Sequence, residues 1–464
     1  MTYDTVIVDS HVILPTGMID KNIVIDEGKI VGLTNDIPAC DHKINGNGLV
    51  SIPGAIDTHV HYGVYSPINE AAKTESHAAA IGGITTMMRM LRLENPFSNS
   101  LQPQLTTASE YHYVDYAIHA SIFTQQQIDE MNFCKDKGIT SFKIYMNLGG
   151  DVGHVYMDMP PNSSSLVASK VNVTDELVEK IVKNAAQLGC PVLVHAEDYE
   201  SCGCGIKKAK EKNQDGLSAW SSSRSPEFEA KAIKTVCKFG RDYDCVIYFV
   251  HIGSEQALLQ IQEEKKLGTK IFVETCPHYL TLSYEKQNGY LAKVMPPIRT
   301  ENDQKAVWNA LSSNQIDTIG TDHVANQLKL KLDGDDVWGA LAGFPGIGTS
   351  LPILLNDGVN HNKITLQQFV KFTSYNAARI FGMYPKKGTL EKNSDADVTM
   401  IDLKKEKKVT SELFGSFSDY IVYEGRNLKG WPVKTMVRGE LVADDFEVIG
   451  KLGHGKHVSR TITK

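Results

Sequence analysis

His59 and His61 stand two residues apart in Ile56-Asp-Thr-His-Val-His61, a stretch that follows Ser51-Ile-Pro-Gly54 and reads as the end of a buried strand. Side chains alternate along a strand, so both imidazoles point to one side. At that spacing they can grip a single metal ion. Many His-X-His pairs are surface accidents, and this one gains meaning from what recurs further along. Lys143 sits in Ser141-Phe-Lys-Ile-Tyr145, His195 in Val194-His-Ala-Glu197, His251 in Phe249-Val-His251, and Asp322 in Gly320-Thr-Asp-His323. Each ends or interrupts an apolar run. Other roles fit each residue taken singly. A strand-end histidine can be a hydrogen-bonded structural group, Asp322 a helix N-cap, and Lys143 a buried cation paired to a carboxylate.

The elements that must bring these residues together follow from the rhythm of the chain after Ile52. Strand-like runs occur at Ala55–His61, Gly83–Met90, Asp115–Ile122, Thr140–Met146, Pro191–Ala196, Cys245–His251, Lys270–Thr275 and Asp317–Asp322. Between them lie helical patterns such as Glu70–Ala80, Thr174–Leu188, Pro226–Phe239, Glu255–Lys266 and Glu301–Leu311. Eight such units predict an α/β fold, a parallel (β/α)8 TIM-like barrel over residues 52–386. In such barrels catalytic groups come from the C-terminal ends of several strands, where the six residues above fall. Gly149–Val171, with Pro160-Pro-Asn-Ser-Ser-Ser165, reads as a long irregular loop beside that mouth. Both ends of the chain have β character, including an expected hairpin turning at Asp26-Glu-Gly-Lys29 and another at Arg438-Gly439. A small β-sandwich built from both termini, residues 1–51 plus 387–464, is expected.

Hydrophobic residues make up 42% of the 464 and charged residues 22%, an ordinary globular composition. The net charge of −7 leaves no basic surplus for phosphates, which argues against nucleic acid and membrane surfaces as partners. No apolar run is long enough for a bilayer, and Met1-Thr-Tyr-Asp-Thr-Val-Ile-Val-Asp9 lacks the form of a signal peptide. The eight cysteines suggest no disulfide framework, so a reducing cytoplasm is expected. Cys202-Gly-Cys204 has no partner pair and reads as a solvent loop with two free thiols.

These motifs, in this order and spacing, resemble the hydantoinase and dihydropyrimidinase family of cyclic amidohydrolases, within the amidohydrolase superfamily. The resemblance is carried by Pro53-Gly-Ala-Ile-Asp-Thr-His-Val-His61, Ser141-Phe-Lys143, Val194-His-Ala-Glu197, Val250-His251 and Val273-Glu-Thr-Cys-Pro-His278. It continues through Met295-Pro-Pro-Ile-Arg299, Gly320-Thr-Asp-His323, Gly343-Phe-Pro-Gly346, Asn376-Ala-Ala-Arg-Ile-Phe-Gly382 and Gly430-Trp-Pro432. It implies that His59, His61, Lys143 and Asp322 bind one divalent metal, and Lys143, His195 and His251 a second. An ammonium has no lone pair for a metal. The resemblance therefore implies that CO2 converts Lys143 to a carbamate, N6-carboxylysine, which bridges the two ions. Zn2+ is the expected metal, with Mn2+, Co2+ and Ni2+ close behind. Asp322 is the implied proton shuttle in hydrolysis of a ring amide of hydantoins or dihydropyrimidines, small-molecule substrates opened to N-carbamoyl amino acids. A homotetramer is implied as well.

Three positions depart from the family pattern. The tyrosine usual five residues after the bridging lysine is Leu148, leaving Tyr145 as a replacement or as a phenol that only packs at a strand end. The serine before the Pro-Pro pair is Met295 and the asparagine before Gly343 is Ala342. Both stay substrate-binding candidates because the contacts there use backbone atoms. Related dihydroorotases hold a substrate carboxylate with an arginine two residues after the His-X-His pair and an asparagine ending strand two. Gly63 stands at the first place, and the second falls near Arg92. Arg92, or Arg89, is the candidate grip for an acidic substrate. Neutral cyclic ureides are nevertheless the expected substrates, with dihydroorotate poor. The enzyme alternatives are allantoinase and dihydroorotase. A metal-free scaffold relative is the non-enzyme alternative, and the intact ligand positions weigh against it.

Overall fold

Turn chemistry frames both ends of the chain. In the computed structural model, which describes residues 2–287 and 289–462, Asn22–Asp26 pairs with Lys29–Thr34 across Glu27 and Gly28. These two residues have φ of 48° and 71°, as a type I′ hairpin requires. Asn427–Val437 turns into Glu440–Asp444 the same way, through Arg438 and Gly439 at φ 47° and 79°. The two ends then pair with each other, Val50–Pro53 running antiparallel to Val398–Ile401. A four-stranded and a seven-stranded sheet result. Ile7, Ile25, Val12, Val398 and Met400 are buried together from the two sheets. This is the sandwich expected from both termini.

The barrel strands are β1 (Ala55–His61), β2 (Ile84–Leu91), β3 (Asp115–Ser121), β4 (Phe142–Tyr145), β5 (Val192–His195), β6 (Ile247–Phe249), β7 (Ile271–Thr275) and a divided β8. Each pairs in parallel with the next, and β8 returns to β1. Parallel strands covered on both faces read as continuous apolar runs, and β1 to β5 are buried along their whole length. The eighth strand differs from the expected run Asp317–Asp322. Thr318–Ile319 pairs with β7, and His323–Val324 pairs with β1. The break has a visible cause. Asp57 of β1 accepts hydrogen bonds from Thr321 N (3.0 Å) and Thr321 Oγ1 (2.6 Å), pulling the backbone aside. A Cβ at Gly320 would lie 2.6 Å from the Glu274 carboxylate and 2.8 Å from His59 Cβ, so only glycine fits there.

The helices start and stop where capping chemistry says they should. Asp175–Leu188 begins at Thr174, whose hydroxyl accepts from Leu177 N, and ends at Gly189 with φ 69°. Glu301–Ser312 begins with a capping box of Thr300 and Asp303. Two irregular stretches turn out to be ordered. Within Gly149–Val171 the strands His154–Met157 and Val167–Lys170 form a hairpin. Cys202 and Cys204 lie on the helix Tyr199–Glu211 rather than in a loop, Cys202 buried and Cys204 exposed. Among the described residues, no helix is long and apolar enough to cross a membrane.

A buried ion network joins sandwich to barrel at the N-terminal end of the strands. Lys387 meets Asp115 of β3 at 2.5 Å, Asp397 at 2.6 Å and Asp395 at 2.9 Å. Arg438 adds a pair to Asp115, and Lys29 one to Asp395. These three carboxylates already have cationic partners, so their grouping is structural.

Candidate metal centre and its cavity

A bulge in β1 aims the first two histidines. The register with β2 passes from Asp57↔Met87 to Val60↔Arg89, one extra residue on β1. His59 Nε2 and His61 Nε2 then lie 3.2 Å apart. Asp322 Oδ1 is 3.2 Å from the first and 3.1 Å from the second. Three electron-pair donors thus form a nearly equilateral triangle. The edge of a tetrahedron around an ion with ~2.0–2.1 Å bonds is about 3.3 Å, so this triangle fits one face of a metal's coordination sphere. Asp322 is not a helix N-cap, because the strand His323–Val324 follows it.

Lys143, on β4, brings a second peculiarity. Its Nζ is buried without a hydrogen-bond partner and makes no ion pair with a described residue. The paired-cation alternative is therefore not what the fold provides. The ring centroid of Tyr145 lies 5.0 Å from Lys143 Nζ. Burial pushes the Lys143 amine well below the ordinary lysine range, which favours its neutral form. His195 and His251 pack edge to face at 4.5 Å, and His251 stacks on His59 at 5.3 Å. Burial holds all four imidazoles below their ordinary range, hence neutral, the state in which they ligate metals. His61 Nδ1 and His251 Nδ1 are buried without partners. The donor set fits divalent metal ions. His251 and Asp322 also carry left-handed φ values, 45° and 50°, a strain that non-glycine residues keep where the surroundings enforce it.

Residues behind the donors fix their orientation, and these escaped sequence reasoning. Glu274 of β7 accepts from His59 Nδ1 at 2.9 Å and His251 N at 3.2 Å through one oxygen. Its other oxygen accepts from Thr58 Oγ1 at 2.6 Å and Tyr248 at 2.8 Å. His59 must therefore present Nε2 to the cavity. Glu197 does the same for His195, taking its Nε2 at 2.6 Å while Arg224 clamps both oxygens at 3.0 and 2.5 Å. A buried acid inside an apolar run was the available signal for Glu274. His323 carries Glu75 on Nε2 at 2.8 Å and receives Gly346 N on Nδ1 at 3.0 Å.

A cavity of about 350 Å3 opens over these donors. Arg92, Tyr145, Leu148, Met295 and Ala342 all reach its wall, as does the hairpin through Val155, Tyr156 and Ala168. Lys143 lies behind the wall. Arg89 is removed from consideration as a substrate group: it binds Asp158 and Gln104, both at 3.0 Å. Gly63, at φ 93°, packs directly against the Arg89 guanidinium, which leaves no space for a side chain.

Lys331 tethers segments that line the cavity at Met295 and Ala342. Its buried Nζ donates to the carbonyls of Lys293 (2.8 Å), Leu341 (2.6 Å) and Gly343 (2.8 Å). Three donors meet three acceptors, and the tethered segments are those that bring Met295 and Ala342 to the cavity. Lys331→Met keeps the length but cannot donate. KM for a ring substrate should rise by ~10-fold or more, with metal content unchanged and kcat less affected, as misplaced positioning groups produce. Loss of metal, or an unchanged KM, would show that the tether does not serve substrate placement.

The comparisons with known proteins agree with this geometry. A family model described as "Amidohydrolase family" matches residues 167–442, a range that holds His195, His251 and Asp322. A D-hydantoinase of Geobacillus stearothermophilus is 30% identical, over 97% of this chain and 95% of its own length. A dihydroorotase of Methanosphaera stadtmanae is 31% identical, over 92% of this chain and 94% of its own. The solved structure of an L-hydantoinase (dihydropyrimidinase) from Arthrobacter aurescens superposes with TM-score 0.90 at 28% identity, covering 99% of this chain and all of the other. The full-length matches take in His59, His61 and Lys143 as well, and the chain belongs to the amidohydrolase family.

Proposed function

We propose that this protein is a metal-dependent cyclic amidohydrolase that opens hydantoins or dihydropyrimidines to N-carbamoyl amino acids. The observation that carries the reading is the triangle of His59, His61 and Asp322 donors at the floor of the cavity, beside an unpartnered buried Lys143. His59, His61 and Asp322 would hold one divalent ion, and His195 and His251 the other. Lys143, as N6-carboxylysine, would supply carboxylate oxygens to hold them. Divalent ions in these places supply Lewis acidity toward a carbonyl oxygen and lower the pKa of water to about 7. Zn2+ is the first choice for this donor set, with Mn2+, Co2+ or Ni2+ as substitutes.

The chain's own groups complete the reaction. Asp322 takes the proton of the attacking water and delivers it to the leaving ring nitrogen. The phenol of Tyr145, held protonated by burial that pushes it up to about 12, donates toward the oxygen that becomes negative. Backbone atoms at Met295 and Ala342 orient the ring. Residues 52–386 form the catalytic unit, and 1–51 plus 387–464 the module that supports it. A homotetramer is proposed from the resemblance. A cytoplasmic location is proposed from eight free cysteines.

The test is a panel of hydantoin, 5-substituted hydantoins, dihydrouracil, allantoin and dihydroorotate, offered to protein loaded with Zn2+ or Mn2+. Mass spectrometry should find the ring-opened N-carbamoyl product from hydantoins or dihydrouracil. If none of the panel is opened, the reading fails and the scaffold alternative takes its place.

A further inference from the structure

We propose that Arg92 anchors a negatively charged substituent of the substrate, so that the preferred substrate is a cyclic ureide carrying a carboxylate. This rests on the ring-opening reading above and reverses the neutral preference expected from sequence. Arg92 follows β2 directly, on the strand beside His59 and His61, and its side chain lines the cavity. The guanidinium makes no ion pair or hydrogen bond with any described residue, and its Nε is buried without a partner. The acid nearest in role, Asp158, does not neutralise it. Asp158 Oδ2 accepts from Arg89 at 3.0 Å and from the backbone N of Arg92 itself, also at 3.0 Å. Asp158 therefore fixes the main chain of Arg92 and leaves its side chain to the cavity.

The wall offers Arg92 no free anion. Among the described residues Asp322 is its only carboxylate, and Asp322 Oδ1 already faces the two histidine nitrogens. The rest of the wall is apolar, as at Leu148 and Val155, or polar without negative charge, as at Tyr65, Tyr145, Asn147 and Ser169. A partly desolvated guanidinium facing such a cavity is unfavourable until a planar oxyanion meets it. A carboxylate does so through two parallel hydrogen bonds, which Lys cannot reproduce. Gly63 cannot take this part, because Arg89 fills the space a side chain would need. The grip for an anion is therefore placed on the neighbouring strand.

The experiment uses metal-loaded protein and matched rings: 5-methylhydantoin against hydantoin-5-acetic acid, and dihydrouracil against dihydroorotate. Wild type should favour the acidic member of a pair in kcat/KM. Arg92→Gln should reduce that preference by ~10–100-fold, the scale of one hydrogen-bonded charge contact. Arg92→Lys, which keeps the charge but not the fork, should fall between. Binding of each ring is also measured by calorimetry in metal-loaded Asp322→Asn protein, where turnover is slow. Acid-selective binding that depends on Arg92, without ring opening by wild type, would sink the ring-opening reading and keep the anchor. A wild-type preference for neutral rings, equal affinity for both, or an acid preference that survives Arg92→Gln would overturn the proposal.

Discussion

Lys143→Ala should strip the site of metal and abolish ring opening, the largest effect expected of any single change. The Lys143 amine is buried beside the site's imidazoles without a hydrogen-bond partner. A carbamate there would place two anionic oxygens between the two histidine groups. Its removal leaves each ion short of a ligand. Even the loss of an orienting group behind a ligand costs ~10–100-fold in metal affinity, so losing a shared ligand should exceed that. Short carboxylic acids supplied in solution should occupy the vacated volume and restore part of both metal and activity. Metal analysis and steady-state rates on the variant, with and without acetate or propionate, check this. Full activity with two bound metals in Lys143→Ala would remove the lysine from the centre.

Asp322→Asn should separate metal binding from proton transfer. The amide keeps the shape and one ligating oxygen, and the orienting contacts around the bend come from Asp57 and Thr321, which the substitution leaves alone. Metal should be largely retained. The amide cannot carry the proton to the leaving nitrogen, so kcat should fall by at least ~10², the usual scale for general acid–base catalysis. A near-normal kcat would exclude Asp322 from the proton path.

The barrel was legible because parallel strands buried on both faces leave continuous apolar runs, and the polar residues at their ends stand out against them. His59, His61, His195, His251 and Asp322 were visible for that reason. The hairpins at Glu27-Gly28 and Arg438-Gly439 were visible because their turns need positive φ. Features set by distant partners were hidden. The break in the eighth strand depends on Asp57, 264 residues away in sequence from Thr321. The clamp on His195 needs Arg224, which no local pattern connects to Glu197. Leu328–Lys331 alternates Leu and Lys like a solvated face, yet Lys331 is buried because three carbonyls converge on it. The strands at His154–Met157 and Val167–Lys170 are four residues each, too short for their alternation to show beside Pro160-Pro161. Arg92 looked like an ordinary strand-end arginine until its neighbours showed that Asp158 pairs with Arg89 instead.

The central claim is that ring opening depends on metal held by these six residues. The most direct measurement follows the rate of ring opening against metal ions bound per protomer, as chelated protein is titrated with Zn2+ or Mn2+. The account predicts no ring opening without metal and a rate that rises to its plateau at two ions per protomer. Full activity in the chelated protein, or binding of metal with no gain in rate on any cyclic ureide, would contradict it.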